Sequence, residues 1–389
     1  MTNQNKDRLS VLFVCIDHTL GGSTLSLFEL IESIKPFINP IVLFPKYGFG
    51  YDLFIGHDIE SVVFPFVRLH RFKKNRLTDV ICHPWRWHYI AKWRADNKCV
   101  HYLKKILNDR KVDIVHSNTS PNDIGVLLAR SFHARHVWHV REYVDAHFHF
   151  DIYGGLPRLK RLINQADARI AISTAIKDHW EMREKGTWVI HDAVRMKADA
   201  CYYPNKDNYV LFVSYNLTEE KGTRLAIMAY AKSGVAKSDI RLKLMGNCKM
   251  EYKAVLLQTA YECGVKDDID FIPCQADVKP WFAHATVYLM ASQYEGFGRV
   301  TAEAMFFGCP IIAHASGGTL DIVEDGKTGY LFTSIDECAS LLRKVCESDN
   351  ESMILRAQEF AFKCFSQEEY GPRIMRVYNT VMDYHDEST

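Results

Sequence analysis

Glu295 and Glu303 stand eight positions apart in the stretch Tyr294-Glu295-Gly296-Phe297-Gly298-Arg299-Val300-Thr301-Ala302-Glu303. Glu295 falls in the loop after an apolar run, at the sheet edge where open α/β proteins bind ligands, and Glu303 lies about a turn into the helix that follows. A loop-to-helix junction cannot set both carboxylates on one helical face, so they are expected to touch different parts of one elongated ligand. Gly296 and Gly298 remove side chains at the helix start, which lets backbone N–H groups face an anion such as a phosphate. The plainer alternative makes Glu295 a turn cap and Glu303 a surface charge, the common fate of a single Glu. The flanking glycines, a Lys221-Gly222 pair upstream and the layout of the whole chain argue against it.

Those groups must be positioned by alternating strands and helices. Residues 11–16 form an apolar run that stops at Asp17, and Gly21-Gly22-Ser23 then leads into an amphipathic stretch over 24–34. Strand, glycine turn and helix open a doubly wound sheet. Further strands are predicted at 40–44, 61–67, 112–116, 136–140 and 168–172, with helices near 124–132 and 174–184. A polar stretch at 203–208 reads as a linker. The pattern then restarts, with strands at 209–214, 240–246, 269–273, 287–292 and 310–313 and helices at 223–232, 249–263 and 300–307. Such alternation implies parallel sheets and two α/β halves of similar size. Ser366-Gln367-Glu368-Glu369 fits a capping box, opening a last helix that runs to about residue 384.

Composition narrows the function classes. The 389 residues are 48% apolar and 24% charged, ordinary globular usage. Lys and Arg total 48 against 47 Asp and Glu, so net charge gives no reason to expect nucleic acid. Eleven scattered cysteines, without a C-x-x-C pair or zinc-finger spacing, read as reduced thiols. Residues 1–10 are polar, the strand that follows lacks the apolar core of a secretory signal, and no run reaches 18 apolar residues. A cytoplasmic protein is the expectation, with a peripheral place on the inner face of the plasma membrane as an open alternative to a freely diffusing one. H-E-x-x-H, G-x-S-x-G and G-x-G-x-x-G are absent. Gly326-Lys327-Thr328 is no P-loop, because Asp321 stands where its first glycine belongs.

The stretch from Glu295, through Glu303-Ala304-Met305, Gly308-Cys309-Pro310 and Gly317-Gly318 to Gly329, resembles the E-x7-E signature region of the retaining GT-B glycosyltransferases of family 4. The resemblance extends to the Gly21-Gly22 loop, the Ala166-Asp167 and Ala171-Ile172-Ser173 segment, Lys221-Gly222 and the C-terminal helix. It implies two Rossmann-like domains facing each other across a cleft. Residues 1 to about 200 form the acceptor domain, joined by the final helix 366–389, and 201–365 form the nucleotide-sugar donor domain. It implies transfer of a hexose from a nucleotide-diphosphate sugar to a hydroxyl with retained anomeric configuration, in polysaccharide or glycolipid synthesis, without a metal or other cofactor. Glu295 would hold donor-sugar hydroxyls, Glu303 the ribose, and Lys221 the diphosphate, as a flexible ammonium commonly does. The backbone of Gly296, Phe297 and Gly298 would surround the sugar and distal phosphate. Gly21 and Gly22 would approach the diphosphate from the first domain, and Asn216, Gly246, Arg299 and Val300 complete the donor-binding set.

The sequence departs from the family twice. Ser214-Tyr215-Asn216-Leu217 replaces a Gly-Arg, so one diphosphate cation is missing and Arg299 or Arg224 is the candidate substitute. His191-Asp192-Ala193 replaces an Asn-Gly. On the acceptor side, Trp138-His139-Val140-Arg141-Glu142 ends a predicted strand where the family often carries His-Asp. Glu142 aligns with the Asp and Arg141 with the His, while His139 takes the His role if the register shifts by two; His and carboxylate suit positioning or deprotonating an acceptor hydroxyl. Asp268-Ile269-Asp270 precedes its strand and reads as a solvated turn, not a metal site.

Between Arg68 and Lys111 thirteen Lys or Arg face three Asp, with Trp85, Trp87, Tyr89 and Trp93 among them. One reading is an anionic membrane surface near a lipid-linked or glycan acceptor; the other is a solvated helix face with its aromatics packed inward. Two alternatives to transferase activity also stay open: a nucleotide-sugar epimerase of the same fold, and a non-catalytic sugar-nucleotide-binding protein.

Overall fold

In the computed structural model the described residues are 8–67, 69–72, 85–108, 110–144 and 150–383. The chain divides into two compact units, residues 1–191 with 370–389 and residues 192–369. The first division thus falls at His191/Asp192 and the second cuts through the last helix, Gln367–Asp383.

Unit 1 contains β1 (Leu9–Cys15), β2 (Ile38–Phe44), β3 (Glu60–Val63), β4 (His70–Phe72), β5 (Ile114–Asn118), β6 (Arg135–Val140), β7 (Phe150–Ile152), β8 (Ala168–Ala171) and β9 (Thr187–Val189). Seven of them make one sheet in the order β3-β2-β1-β5-β6-β8-β9, and β4 pairs antiparallel with β7. Strand β1 is apolar on both faces because helices cover both: Val11, Leu12, Phe13, Val14 and Cys15 are all fully buried. Each such aliphatic or aromatic side chain contributes roughly 1.5–3 kcal/mol of burial free energy.

Unit 2 repeats the plan with β10 (Asp207–Asn216), β11 (Arg241–Asn247), β12 (Ile269–Ile272), β13 (Ala285–Met290), β14 (Ile311–His314) and β15 (Tyr330–Phe332). Their order is β12-β11-β10-β13-β14-β15, and every pairing is parallel. Helix Ile335–Glu347 packs Cys338, Leu342 and Val345 into this core. Strand order reverses between β1 and β5 in unit 1 and between β10 and β13 in unit 2. At such switch points the connecting loops diverge and leave a crevice at the carboxyl ends of the strands.

Several local expectations change. The polar stretch at 203–208 is not a linker between the units, since it lies inside unit 2 and its last two residues already belong to β10. The strand predicted at 61–67 ends at Val63, and the helix predicted to reach 184 ends at His179. No capping box forms at Ser366, whose buried hydroxyl has no hydrogen-bond partner. Glu368 instead accepts the Lys197 backbone N–H, and Glu369 pairs with the Lys197 ammonium. Asp270 is held by both guanidinium arms of Arg241 at 2.9 and 2.8 Å. Of the basic segment, residues 68, 73–84 and 109 lie outside the described set; residues 85–107 are one helix.

Candidate functional site

The switch point of unit 2 brings the loop after β10 against the loop after β13. Gly222, which starts helix Thr223–Ser233, has φ +74°, and a Cβ there would lie 2.1 Å from the Ala291 carbonyl oxygen. Only glycine satisfies both the left-handed backbone and that approach. Lys221 is therefore delivered to the second loop, where its Nζ lies 3.0 Å from Glu295 Oε2, both side chains about one-quarter exposed. A partly solvated pair of this kind is worth at most about 1 kcal/mol. An incoming anion can take the ammonium from the carboxylate at little cost.

The next residues offer backbone rather than side chains. Gly298 has φ +106° and caps helix Arg299–Phe306, its carbonyl accepting the Thr301 and Ala302 N–H groups. Gly318 donates its N–H to the Glu295 carbonyl at 2.7 Å, and a Cβ on it would fall 2.4 Å from the Gly296 carbonyl oxygen. The Gly317-Gly318 pair thus serves to let one loop lie directly on another. Phe297 is buried edge-on against Phe365, ring centroids 5.5 Å apart, so its side chain anchors the loop. Gly246 is needed because a Cβ would lie 2.0 Å from the Ser214 carbonyl oxygen. Asn216 ends β10, exposed, beside a register shift against β11. Val300 is half-buried in the first turn of helix Arg299–Phe306.

Glu303 is not alone: Arg195 Nη2 lies 3.0 Å from its Oε1. Arg195 also sits over the Phe307 ring at 5.6 Å, and its backbone is pinned beside Ser366, its carbonyl accepting the Gln367 N–H. Sequence reasoning missed this residue, because nothing local marks an arginine whose partner lies on a distant helix. The proposed substitutes for the missing cation are otherwise engaged. Arg299 donates to the Ala193 carbonyl at 2.9 Å, and Arg224 grips Glu219 on the surface.

In unit 1, Gly22 is exposed at the start of helix Gly22–Ile34, and Gly21 packs so near Asp17 that a Cβ would come 2.5 Å from its carboxylate. Asn118, at the end of β5, donates to the Ser23 carbonyl and accepts from Arg141 Nε at 2.7 Å. Glu142 Oε1 accepts the Ser120 N–H at 3.0 Å. Burial pushes the Glu142 carboxyl up to about 7, opposed by that N–H and by the Arg141 charge. His139 has no exposed surface, and burial, then Arg141 and His116, hold its pKa well below the ordinary value. Arg141 Nη2 lies 3.3 Å from its Nδ1; since guanidinium only donates, the ring proton sits on Nε2, which has no partner. A direct ligand contact by His139 is not available in this arrangement, because the ring is covered on every side. Tyr378 of the last helix hydrogen-bonds His116 Nδ1 at 2.8 Å, fixing that helix to β5.

Among the described residues no three His, Cys, Asp or Glu side chains converge as a metal site, and no helix is long and apolar enough to cross a membrane.

Residues 202–360 match the family model described as glycosyl transferases group 1. The chain is 26% identical over 227 residues to N-acetyl-alpha-D-glucosaminyl L-malate synthase of Bacillus anthracis, covering 57% of this chain and 58% of the relative. It is 33% identical over 141 residues to a D-inositol 3-phosphate glycosyltransferase of Nocardioides, covering 33% and 31%. These alignments span less than two thirds of either relative's length. An uncharacterized glycosyltransferase of Methanocaldococcus jannaschii is 24% identical over 369 residues, 90% of this chain and 99% of that one. The crystal structure of Anabaena HepE in complex with UDP superposes with a TM-score of 0.78 at 20% identity, covering 96% of this chain and all of that one. Staphylococcus aureus TarM, in a mutant complex with UDP, gives 0.72 at 13% identity, covering 95% and 100%. Residues 202–360, within unit 2, are thus similar to the glycosyl transferases group 1, and the chain, whose fold is shared over almost its whole length, has the GT-B fold.

Proposed function

We propose that the protein transfers a sugar from a nucleotide-diphosphate sugar to a hydroxyl acceptor with retention of configuration. The observation that carries this reading is the Lys221–Glu295 pair at the switch point, beside the start of helix Arg299–Phe306. The diphosphate displaces Glu295 from Lys221 and lies against the helix N-terminus, where the dipole favours negative charge. The freed Glu295 carboxylate accepts from donor-sugar hydroxyls, and Glu303, oriented by Arg195, accepts from the ribose. Negative charge growing on the departing diphosphate meets groups already in place, which is where most of the rate enhancement arises. The reading uses no metal. Glu142, poised near neutrality, is the acceptor-side base.

The Anabaena structures with UDP and UDP-glucose support beginning with uridine nucleotides. A thermal-shift screen over UDP-, GDP-, ADP- and TDP-sugars tests the donor: a ligand at 100 times its Kd stabilises by about 2.7 kcal/mol. A shift from none of them rejects the reading. NMR of the product's anomeric proton tests retention, and conversion of one nucleotide sugar into its epimer with no acceptor and no net nucleotide release would favour an epimerase.

The acceptor is proposed to be a glycan or lipid-linked glycan at an anionic membrane, as in polysaccharide or glycolipid synthesis. In helix Trp85–Leu107 the exposed Arg94, Lys98, Lys104 and Lys105 have no exposed acid among the described residues of the helix, because Asp96 turns inward to Lys92. Ile106 is exposed beside them. That arrangement supports a surface contact with anionic headgroups.

A further inference from the structure

A cavity of about 190 Å³ opens in unit 1 among helices Trp85–Leu107, Ile124–Phe132 and Gly155–Asn164. Trp93 and Leu127 contribute apolar wall, and Asp96, Asp123, Arg130 and Arg158 contribute charge. Lys92, also at the wall, is buried and fully engaged, donating to Val67 O at 2.8 Å, Asp96 Oδ2 at 2.7 Å and Asp123 Oδ1 at 2.8 Å. Arg158 holds the other Asp123 oxygen at 3.3 Å. The carboxylates are thus fixed in place and neutralised, yet each oxygen keeps a lone pair to accept with. Trp93 is 63% exposed, and Arg130 is exposed as well.

This wall discriminates among ligand classes. A divalent cation would have to compete with Lys92 and Arg158 for both carboxylates. A phosphate would meet those carboxylates directly, and a hydrocarbon chain would leave them dry, at a cost of several kcal/mol. A neutral polyol meets no such conflict: its hydroxyls donate to carboxylate and accept from guanidinium, while its C–H face packs on an indole. The volume is below the ~300–1,000 Å³ of drug-sized sites, which limits the occupant to a single ring. We propose that this cavity binds one neutral pyranose residue of the acceptor glycan, stacked on Trp93 and hydrogen-bonded by Asp96, Asp123 and Arg130. Asp123 follows the end of β5, on the side of the sheet where ligands bind. The identity of the ring as part of an acceptor rests on the proposed activity; its binding does not.

The test is saturation-transfer NMR on the full chain with the methyl glycosides of glucose, galactose, mannose and N-acetylglucosamine, comparing wild type with Trp93→Ala and Arg130→Ala. Both side chains are exposed, so both variants fold. At least one glycoside is expected to show transfer strongest at ring C–H protons, with binding about tenfold weaker in each variant. No transfer from any of the four, or transfer undiminished by both substitutions, overturns the proposal. Nucleotide thermal shifts on the same samples judge the donor site separately, so either reading can fail without the other.

Discussion

Lys221 and Glu295, 74 positions apart in the chain, meet at 3.0 Å where strand order reverses in unit 2. The cation expected to hold a diphosphate and the carboxylate expected to hold its sugar are ion-paired with each other. Removing Lys221 therefore does two things: it strips the diphosphate of its ammonium and leaves Glu295 unopposed near the same anion. Lys221→Ala is expected to lower kcat about 10²- to 10³-fold, the usual size for a lost charge-stabilising donor. Steady-state nucleotide release measures it, and a variant keeping half the wild-type rate would contradict the assignment. EDTA should leave the wild-type rate unchanged; inactivation with rescue by Mg²⁺ or Mn²⁺ would show that a metal supplies the charge instead.

Arg195 and Glu303 should behave as a unit. Glu303→Ala is expected to weaken nucleoside diphosphate binding by about 1.5–3 kcal/mol, the range for hydrogen bonds to a charged group. Arg195→Met should cost less, because it misdirects the carboxylate without deleting it. In calorimetric titrations the double variant should fall short of the summed single effects by about 0.5 kcal/mol or more. Strict additivity would mean that Arg195 does not orient Glu303.

Glu142 predicts a pH dependence whose sign is fixed by its raised pKa. The folded state binds a proton up to about 7, whereas the unfolded carboxyl releases it near 4.5. Stability is therefore lost as pH rises from about 4.5 through 7, and the loss is complete above that. Glu142→Gln should raise Tm relative to wild type more at pH 8 than at pH 5. Activity runs the other way, since a base must be ionised: the rate should fall as pH drops through about 7, and that limb should vanish in the Gln variant. An unchanged profile would remove Glu142 from the chemistry.

The exposed basic face of helix Trp85–Leu107 predicts salt-sensitive membrane binding. Each basic residue near an anionic surface contributes about 1 kcal/mol, fading within a Debye length as salt rises. Changing Lys98, Lys104 and Lys105 to Gln should release the protein from vesicles containing phosphatidylserine while leaving nucleotide-sugar turnover intact. Equal sedimentation with neutral and anionic vesicles, or none with either, would leave these lysines as a solvated face.

Short-range information carried much of the plan. Apolar runs of strand length alternating with amphipathic stretches give parallel sheets, and the glycines at 222, 296, 298 and 318 mark the loops around the Lys221–Glu295 pair. Both are legible because burial and backbone freedom are largely properties of a residue and its close neighbours. The partnerships were not legible. Arg195 with Glu303, Arg299 turned to the Ala193 carbonyl, Lys92 buried between Asp96 and Asp123, and His139 enclosed beside Arg141 all depend on which distant segments the sheets place side by side. Ser366 shows the same limit in reverse: its sequence context reads as a local cap, yet Lys197 draws both glutamates away. A charged side chain reaches several ångströms in any direction, and its partner is whichever opposite charge the fold leaves within reach, a choice made by strand order and burial rather than by sequence spacing.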